Sequence, residues 1–245
     1  MGELINRARR ILKDSNNIVI LSGNSLMEET GLTDLRAEKK AYDIEIEYGF
    51  SPEEMLTEGF FSRRTHLFFR YYREHVLEMD KMIPTKAHEA VAKLEEDMKL
   101  KAVITKSVYG LYQEAGVNNV IELHGSIHRN LCNRCGRNFP VSYIVESKNV
   151  PHCPDCQIAI HPKFTMFGER LDNGKISRAA EAVSSADTLI LAGAALDSSL
   201  GTYAKQYYRG EHFITINDVP EKDNPMITLA FTGKCSEILP QIVAY

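Results

Sequence analysis

Four of the five cysteines stand in a C-x2-C-x17-C-x2-C pattern, at Cys132, Cys135, Cys153 and Cys156. A two-residue gap lets both sulfurs of a knuckle face one point, and zinc prefers four thiolates in a tetrahedron. Gly136 follows the first knuckle, where the chain must turn tightly. The segment between the pairs is polar and poor in long apolar runs, so it needs a staple in order to fold. Two disulfides are the alternative staple, and a reducing compartment favours metal. Four thiolates close the coordination shell and leave no position for water, so the expected Zn2+ is structural. His128, His152 and His161 lie nearby, but a closed shell does not need them, and they read as surface or turn histidines. Cys235 stands apart and reads as a free thiol.

The rest of the chain fits a reducing compartment. No apolar run reaches the roughly 18 residues that a spanning helix needs. Met1 to Asn17 carries Glu3, Arg7, Arg9, Arg10 and Lys13 where a leader would carry an apolar core. Ile5, Ala8, Ile11 and Leu12 fall on one helical face, which predicts a short amphipathic helix. A cytoplasmic location with no membrane partner is expected. The net charge of −4 argues against a general nucleic-acid surface, which needs a clustered basic excess. With 245 residues, 44% of them hydrophobic, the chain can bury a full core as one large domain carrying a smaller insert.

Five short apolar runs punctuate the sequence: 17–22, 102–105, 120–123, 188–192 and 213–216. Each leads into small or polar residues: Gly23-Asn24-Ser25, Lys106-Ser107, His124-Gly125, Gly193-Ala194-Ala195 and Asn217-Asp218. Helical stretches separate them, so the fold class is α/β, a parallel sheet with helices on both faces. Ligands of such sheets sit beyond the carboxyl ends of the strands, where these loops lie. Two stretches break the rhythm. One, from Ala37 to about Pro84, is charged and aromatic with helical spacing (Phe60, Phe61, Leu67, Phe68, Tyr71, Tyr72). The other is the cysteine segment, about Arg129 to Lys163. Together they suggest a small second domain.

A glycine turn after the first strand can bring backbone N–H groups onto a pyrophosphate. Gly23-Asn24-Ser25 is far from G-x-G-x-x-G, so this turn alone is a weak dinucleotide signal. His124, at a strand end before a glycine, can serve as a general base or as a hydrogen-bonding turn residue. Phe167-Gly168 can line a cleft or simply close a loop.

In order along the chain, the motifs resemble those of the sirtuins. GNSLMEETGLTDLR (Gly23 to Arg36) resembles the family's G-A-G-x-S-x-x-S-G-I-P-D-F-R. PTKAHEAVAKLEE (Pro84 to Glu96) resembles P-x-x-x-H-x-x-L-x-x-L-E, and ITKSVYGLYQEAG (Ile104 to Gly116) resembles I-T-Q-N-x-D-G-L-H-x-x-A-G. ELHGSIHRNLCNRCG (Glu122 to Gly136) is similar to the catalytic-histidine and first-knuckle segment. CPDCQIAIHPKFTMFGERL resembles C-P-x-C-x-x-x-x-R-P-x-V-V-x-F-G-E-x-L. The resemblance implies a Rossmann-like large domain from 1–36, 84–128 and 164–245. It implies a helical module at 37–83 and a zinc module at 129–163. It further implies a cleft that binds NAD and an acyl-lysine peptide or protein, with His124 as the base and Phe167 and Gly168 lining the substrate channel.

The same resemblance places Gly23, Asn24, Ser25, Arg36, Lys106, Ser107, Tyr109, Gly193, Ala194, Ala195, Asn217 and Cys235 at the cofactor. Several of them depart from the family. Ser25 stands for a glycine, and its β-carbon crowds a pyrophosphate. Asn24 tolerates left-handed backbone angles, which would preserve the turn. A family serine is Thr30, its proline Thr33 and its phenylalanine Leu35, while Arg36 is kept. Lys106-Ser107 replaces Gln-Asn, Tyr109 replaces an aspartate, and Tyr112 a histidine. Gly193-Ala194-Ala195 lacks two hydroxyls of Gly-Thr-Ser, and Asn217 is kept. Two or three such changes at about 1–2 kcal/mol each would weaken NAD binding by about 100- to 10,000-fold. Lys106 could instead meet a phosphate or carboxylate. The resemblance therefore implies an NAD-dependent protein-lysine deacylase with an altered NAD pocket. The alternatives are a catalytically impaired sirtuin-fold protein that binds a nucleotide or protein partner, and NAD-dependent ADP-ribosyl transfer.

Overall fold

The computed structural model describes residues 1–31 and 34–244. Leu32 and Thr33, the second of which replaces a family proline, lie outside the described residues. Strands in chain order are β1 (Ile18–Ser22), β2 (Leu100–Thr105), β3 (Val120–Glu122), β4 (Gly125–Leu131), β5 (Asn138–Phe139), β6 (His161–Phe164), β7 (Thr188–Ala192), β8 (His212–Asn217) and β9 (Leu229–Thr232). The chain divides into two compact units. One comprises Met1–Gly31, Ile83–Leu123 and Asp172–Tyr245; the other comprises Leu32–Met82 and His124–Leu171.

In the first unit six strands form one parallel sheet in the order β3-β2-β1-β7-β8-β9. β1 and β7 are buried at all five positions, as expected of central strands covered on both faces. Alternation divides the layers. Ile18, Ile20, Ile190 and Ile214 face the helices Gly2–Asp14, Lys86–Glu96 and Cys235–Val243. Val19, Leu21, Leu189 and Leu191 face the helices Asn173–Ser184 and Ser199–Tyr207. The predicted amphipathic helix is Gly2–Asp14, and it buries Ile5, Ala8, Ile11 and Leu12. β9 has no counterpart among the five expected strands. It buries Leu229 and Phe231 and exposes Ala230 and Thr232, so no continuous apolar run marks it. His88 of the P-x-x-x-H motif is a helix cap: with Thr85 it completes a capping box on Lys86–Glu96.

In the second unit β5, β4 and β6 form an antiparallel sheet. The helices Glu38–Tyr48, Pro52–Met55, Glu58–Arg63 and Thr65–Tyr71 supply an aromatic core, and the last runs into a π-turn at Tyr72–Val76. Tyr72 stacks on Phe164 of β6, with centroids 5.7 Å apart and planes 13° apart, which ties the helices to the sheet. His161 is not a surface histidine. It is buried at the start of β6, with Nε2 2.8 Å from the Glu58 carboxylate and its ring edge-on to Phe61. Burial against the helices needs a polar partner, and Glu58 supplies it.

Candidate functional site

Counted along the chain, the parallel sheet has strand order 3-2-1-4-5-6, and the order reverses between β1 and β7. Open α/β sheets bind ligands at the carboxyl ends of the strands at such a reversal. Here the loops are zipped together. The Gly23 N–H donates to Ala192 O at 2.8 Å, Ser25 N–H to Gly193 O at 3.0 Å, and Gly193 N–H to Ile216 O at 2.8 Å. A β-carbon on Gly23 would lie 2.3 Å from Gly193 O, and Gly193 itself has φ +68. Both glycines are therefore fixed by the approach of one loop to the other. Asn24 does not use the left-handed region. It opens the short helix Asn24–Glu28, and that helix makes the turn.

Around this crevice many donors are already engaged. The Ser25 hydroxyl donates to Asp218 Oδ1 at 3.3 Å, and the Leu196 N–H to Glu221 Oε1 at 2.9 Å. Lys106 Nζ donates to the Ser199 hydroxyl. Ser107 turns its own loop, accepting from the Tyr109 N–H at 3.4 Å. Ala194 and Ala195 are half-buried and offer no hydroxyl. Asn217 is the exception: its side-chain oxygen is buried without a hydrogen-bond partner among the described residues. Such an orphan acceptor is costly unless a ligand or water donates to it, so it fits a hydroxyl-bearing ligand. Cys235 is buried, and burial together with the neighbouring Glu29 carboxylate pushes its thiol up, so it is no nucleophile.

Other candidates belong to the second unit. Arg36 is paired with Asp34 through two hydrogen bonds of 2.9 and 3.0 Å, and that guanidinium holds the Asp34 carboxyl below its usual value. The His124 carbonyl accepts from the Thr165 N–H at 2.7 Å. Gly125 next to it has φ +77, and an added β-carbon would lie 2.2 Å from Lys163 O. The His124-Gly125 turn is thus locked onto β6, with the imidazole half-exposed. Phe167 is 41% exposed, and its N–H donates to Leu56 O at 2.9 Å, while Gly168 completes the turn at φ +85.

The four cysteine Sγ atoms all lie within 4.8 Å of one another, and Cys135 and Cys153 are 3.8 Å apart. Thiolates at about 2.3 Å from a tetrahedral zinc are about 3.8 Å apart, so the set fits that ion. The two knuckles repeat one geometry. Gly136 N–H donates to Cys132 O at 2.8 Å with φ +74, and Gln157 N–H to Cys153 O at 2.9 Å with φ +58. Four thiols this close resist ionising together: burial and the adjoining thiols push Cys156 up to about 12. A divalent cation removes that conflict.

A family model described as the Sir2 family matches residues 23–199. The chain belongs to the Sir2 family. A Clostridium acetobutylicum protein named NAD-dependent protein deacetylase is 35% identical over 240 residues, which is 98% of each chain. A Clostridium perfringens protein of the same name is 35% identical over 247 residues, 99% of this chain and 100% of that one. Among solved structures, a Sir2 homologue in complex with NAD superposes with a TM-score of 0.80 at 28% identity, covering 97% of this chain and 92% of that one. A Sir2 complex with p53 peptide and NAD+ gives 0.78 at 27%, covering 97% and 96%.

Three acids at this crevice were given no role by the sequence reading. Asp218 and Glu221 follow β8, and Glu29 follows the glycine turn. The Glu29 carboxylate accepts from the N–H groups of Cys235 and Ser236 at 2.7 and 2.8 Å. Acids placed just beyond strand ends were the available signal, but a lone acid in a loop reads as a solvated side chain. Among the described residues, no helix is long and apolar enough to cross a membrane.

Proposed function

We propose that this chain is an NAD-dependent protein-lysine deacylase of the sirtuin type with a weakened NAD site, working in the cytoplasm. The observation that carries the reading is the unpartnered, buried Asn217 oxygen at the strand-order reversal. The near full-length likeness to proteins named NAD-dependent protein deacetylase supports it. NAD, when bound as co-substrate, would supply the ribose carbon to which the acyl oxygen bonds as the bond to nicotinamide breaks and nicotinamide leaves. Asn217 accepts a ribose hydroxyl, and the Gly23–Ser25 and Gly193–Ala195 loops bring their backbones to the diphosphate. His124 takes a proton from a ribose hydroxyl, in an orientation set by the locked turn at Gly125. Phe167 and Gly168 guide the acyl-lysine of the protein substrate. Cys132, Cys135, Cys153 and Cys156 hold a structural zinc. Ser25, Ser107, Tyr109, Ala194 and Ala195 lower NAD affinity, with Tyr109 narrowing the nicotinamide side.

The test is nicotinamide release from NAD with acetyl-lysine peptides, measured beside calorimetric NAD binding. Turnover that disappears in His124→Ala while NAD binding persists supports the enzyme. Absence of NAD binding at millimolar concentration refutes it. A second reading is a Sir2-fold protein that binds a nucleotide or partner without turnover. It is favoured by the engaged donors Ser25 and Leu196, and NAD binding without nicotinamide release would select it.

A further inference from the structure

The segment after β8 is acidic, with Asp218, Glu221 and Asp223 in six residues. Two of these acids reach back to different loops. Asp218 accepts from the Ser25 hydroxyl in the loop after β1, and Glu221 from the Leu196 N–H in the loop after β7. Those two loops flank the reversal point, so one acidic segment holds donors on both sides of it. A hydroxyl and a backbone N–H in such loops are the donors that a phosphate group would use. Each is held instead by a carboxylate of the same sign as the phosphate.

We infer that Asp218 and Glu221 act as an internal competitor for the diphosphate of a nucleotide at this crevice, and that they set its affinity. The inference rests on the nucleotide reading of the crevice given above. Asp218 is exposed and Glu221 half-buried, so both carboxylates can turn to water when displaced. The competition has a chemical signature. It acts on ligands that carry phosphate and leaves an uncharged nucleoside untouched. Removing one carboxylate charge within a few ångströms of a phosphate should tighten binding by about 3- to 30-fold. An amide in its place still accepts the same hydrogen bond, so the loop keeps its shape.

The experiment is calorimetric titration of the full chain and of Glu221→Gln, Asp218→Asn and Asp223→Asn with NAD, ADP and adenosine, at low and high salt. Asp223 is exposed on the same segment and serves as the control for general charge. The expected result is tighter NAD and ADP binding in Glu221→Gln and Asp218→Asn, a gain that shrinks with salt, unchanged adenosine, and little effect of Asp223→Asn. Wild-type affinity for NAD in both amide variants overturns the competitor while leaving the nucleotide site standing. An equal gain for adenosine, or an equal gain in Asp223→Asn, also overturns it. If neither the wild type nor any variant binds NAD or ADP at millimolar concentration, the nucleotide reading falls and the competitor with it.

Discussion

Replacing Glu29 by alanine should loosen the last helix from the first loop. The helix Cys235–Val243 begins at Lys234, which gives it no side-chain cap, and it contains Pro240. Its first two N–H groups instead donate to the two oxygens of Glu29, at 2.7 and 2.8 Å. An N-terminal cap contributes about 1 kcal/mol, a negative charge at that end a further 0.3–1 kcal/mol or so, and hydrogen bonds to ionised groups contribute about 1.5–3 kcal/mol. These contributions overlap, and Glu29 is half-buried, so water can replace part of what is lost. The expected loss for Glu29→Ala is therefore about 2–3 kcal/mol. Burial of Ile238, Leu239 and Ile242 still holds the helix in place, so the cost stays near that of the cap. Glu29→Gln keeps one acceptor without its charge and should lose about 1 kcal/mol. The chain has no tryptophan, so far-ultraviolet circular dichroism during urea unfolding is the suitable probe. A loss of 2–3 kcal/mol lowers the midpoint by about 1 M urea. Amide exchange at Cys235 and Ser236 should accelerate by about 30- to 150-fold if it proceeds by local opening. A midpoint that moves by less than about 0.2 M, with exchange at those two amides unchanged, would refute the capping argument.

Other consequences are as direct. Purified protein should hold one zinc per chain, and Cys156→Ser should lose it and render the 132–156 segment protease-sensitive; less than about a tenth of an ion in the wild type would exclude the site. His88 carries an acid dependence. Burial lowers it to about 4, so the unfolded chain takes up its proton first, near pH 6.5, and stability falls as pH drops from there toward 4. That group accounts for about 3 kcal/mol between pH 7 and pH 4, and His88→Gln should flatten this part of the urea-midpoint profile; an unchanged slope would count against it. Tyr109→Asp combined with Ser107→Asn should raise NAD affinity about tenfold or more in calorimetry, and no gain would mean that these two residues are not what weakens the site.

What was legible in the sequence was local. The central strands β1 and β7 announced themselves as apolar runs because both of their faces are covered, and β9 escaped because its outer face carries Ala230 and Thr232. The two knuckles were visible because their ligands stand three residues apart. Gln157 at φ +58 was not, since only a glycine advertises that backbone. The contacts that distinguish this crevice join residues far apart: Ser25 with Asp218, Leu196 with Glu221, Glu29 with Cys235. No periodicity or spacing rule couples such pairs, and each acid, taken alone, has the composition of a solvated loop. The motif comparison exposed residues that the loops had lost, such as the hydroxyls replaced by Ala194 and Ala195. It could not expose the carboxylate partners, because the motifs fix no residue type at positions 29, 218 or 221. Loss alone leaves empty donors that a nucleotide could still satisfy. On the competitor proposal, carboxylates seated on the remaining donors set the ligand against the protein's own charge. If Asp218 and Glu221 compete with a phosphate as inferred, a shared fold does not fix affinity at this crevice: the sheet supplies the reversal point, and the residues after β8 govern how readily a phosphate can use it.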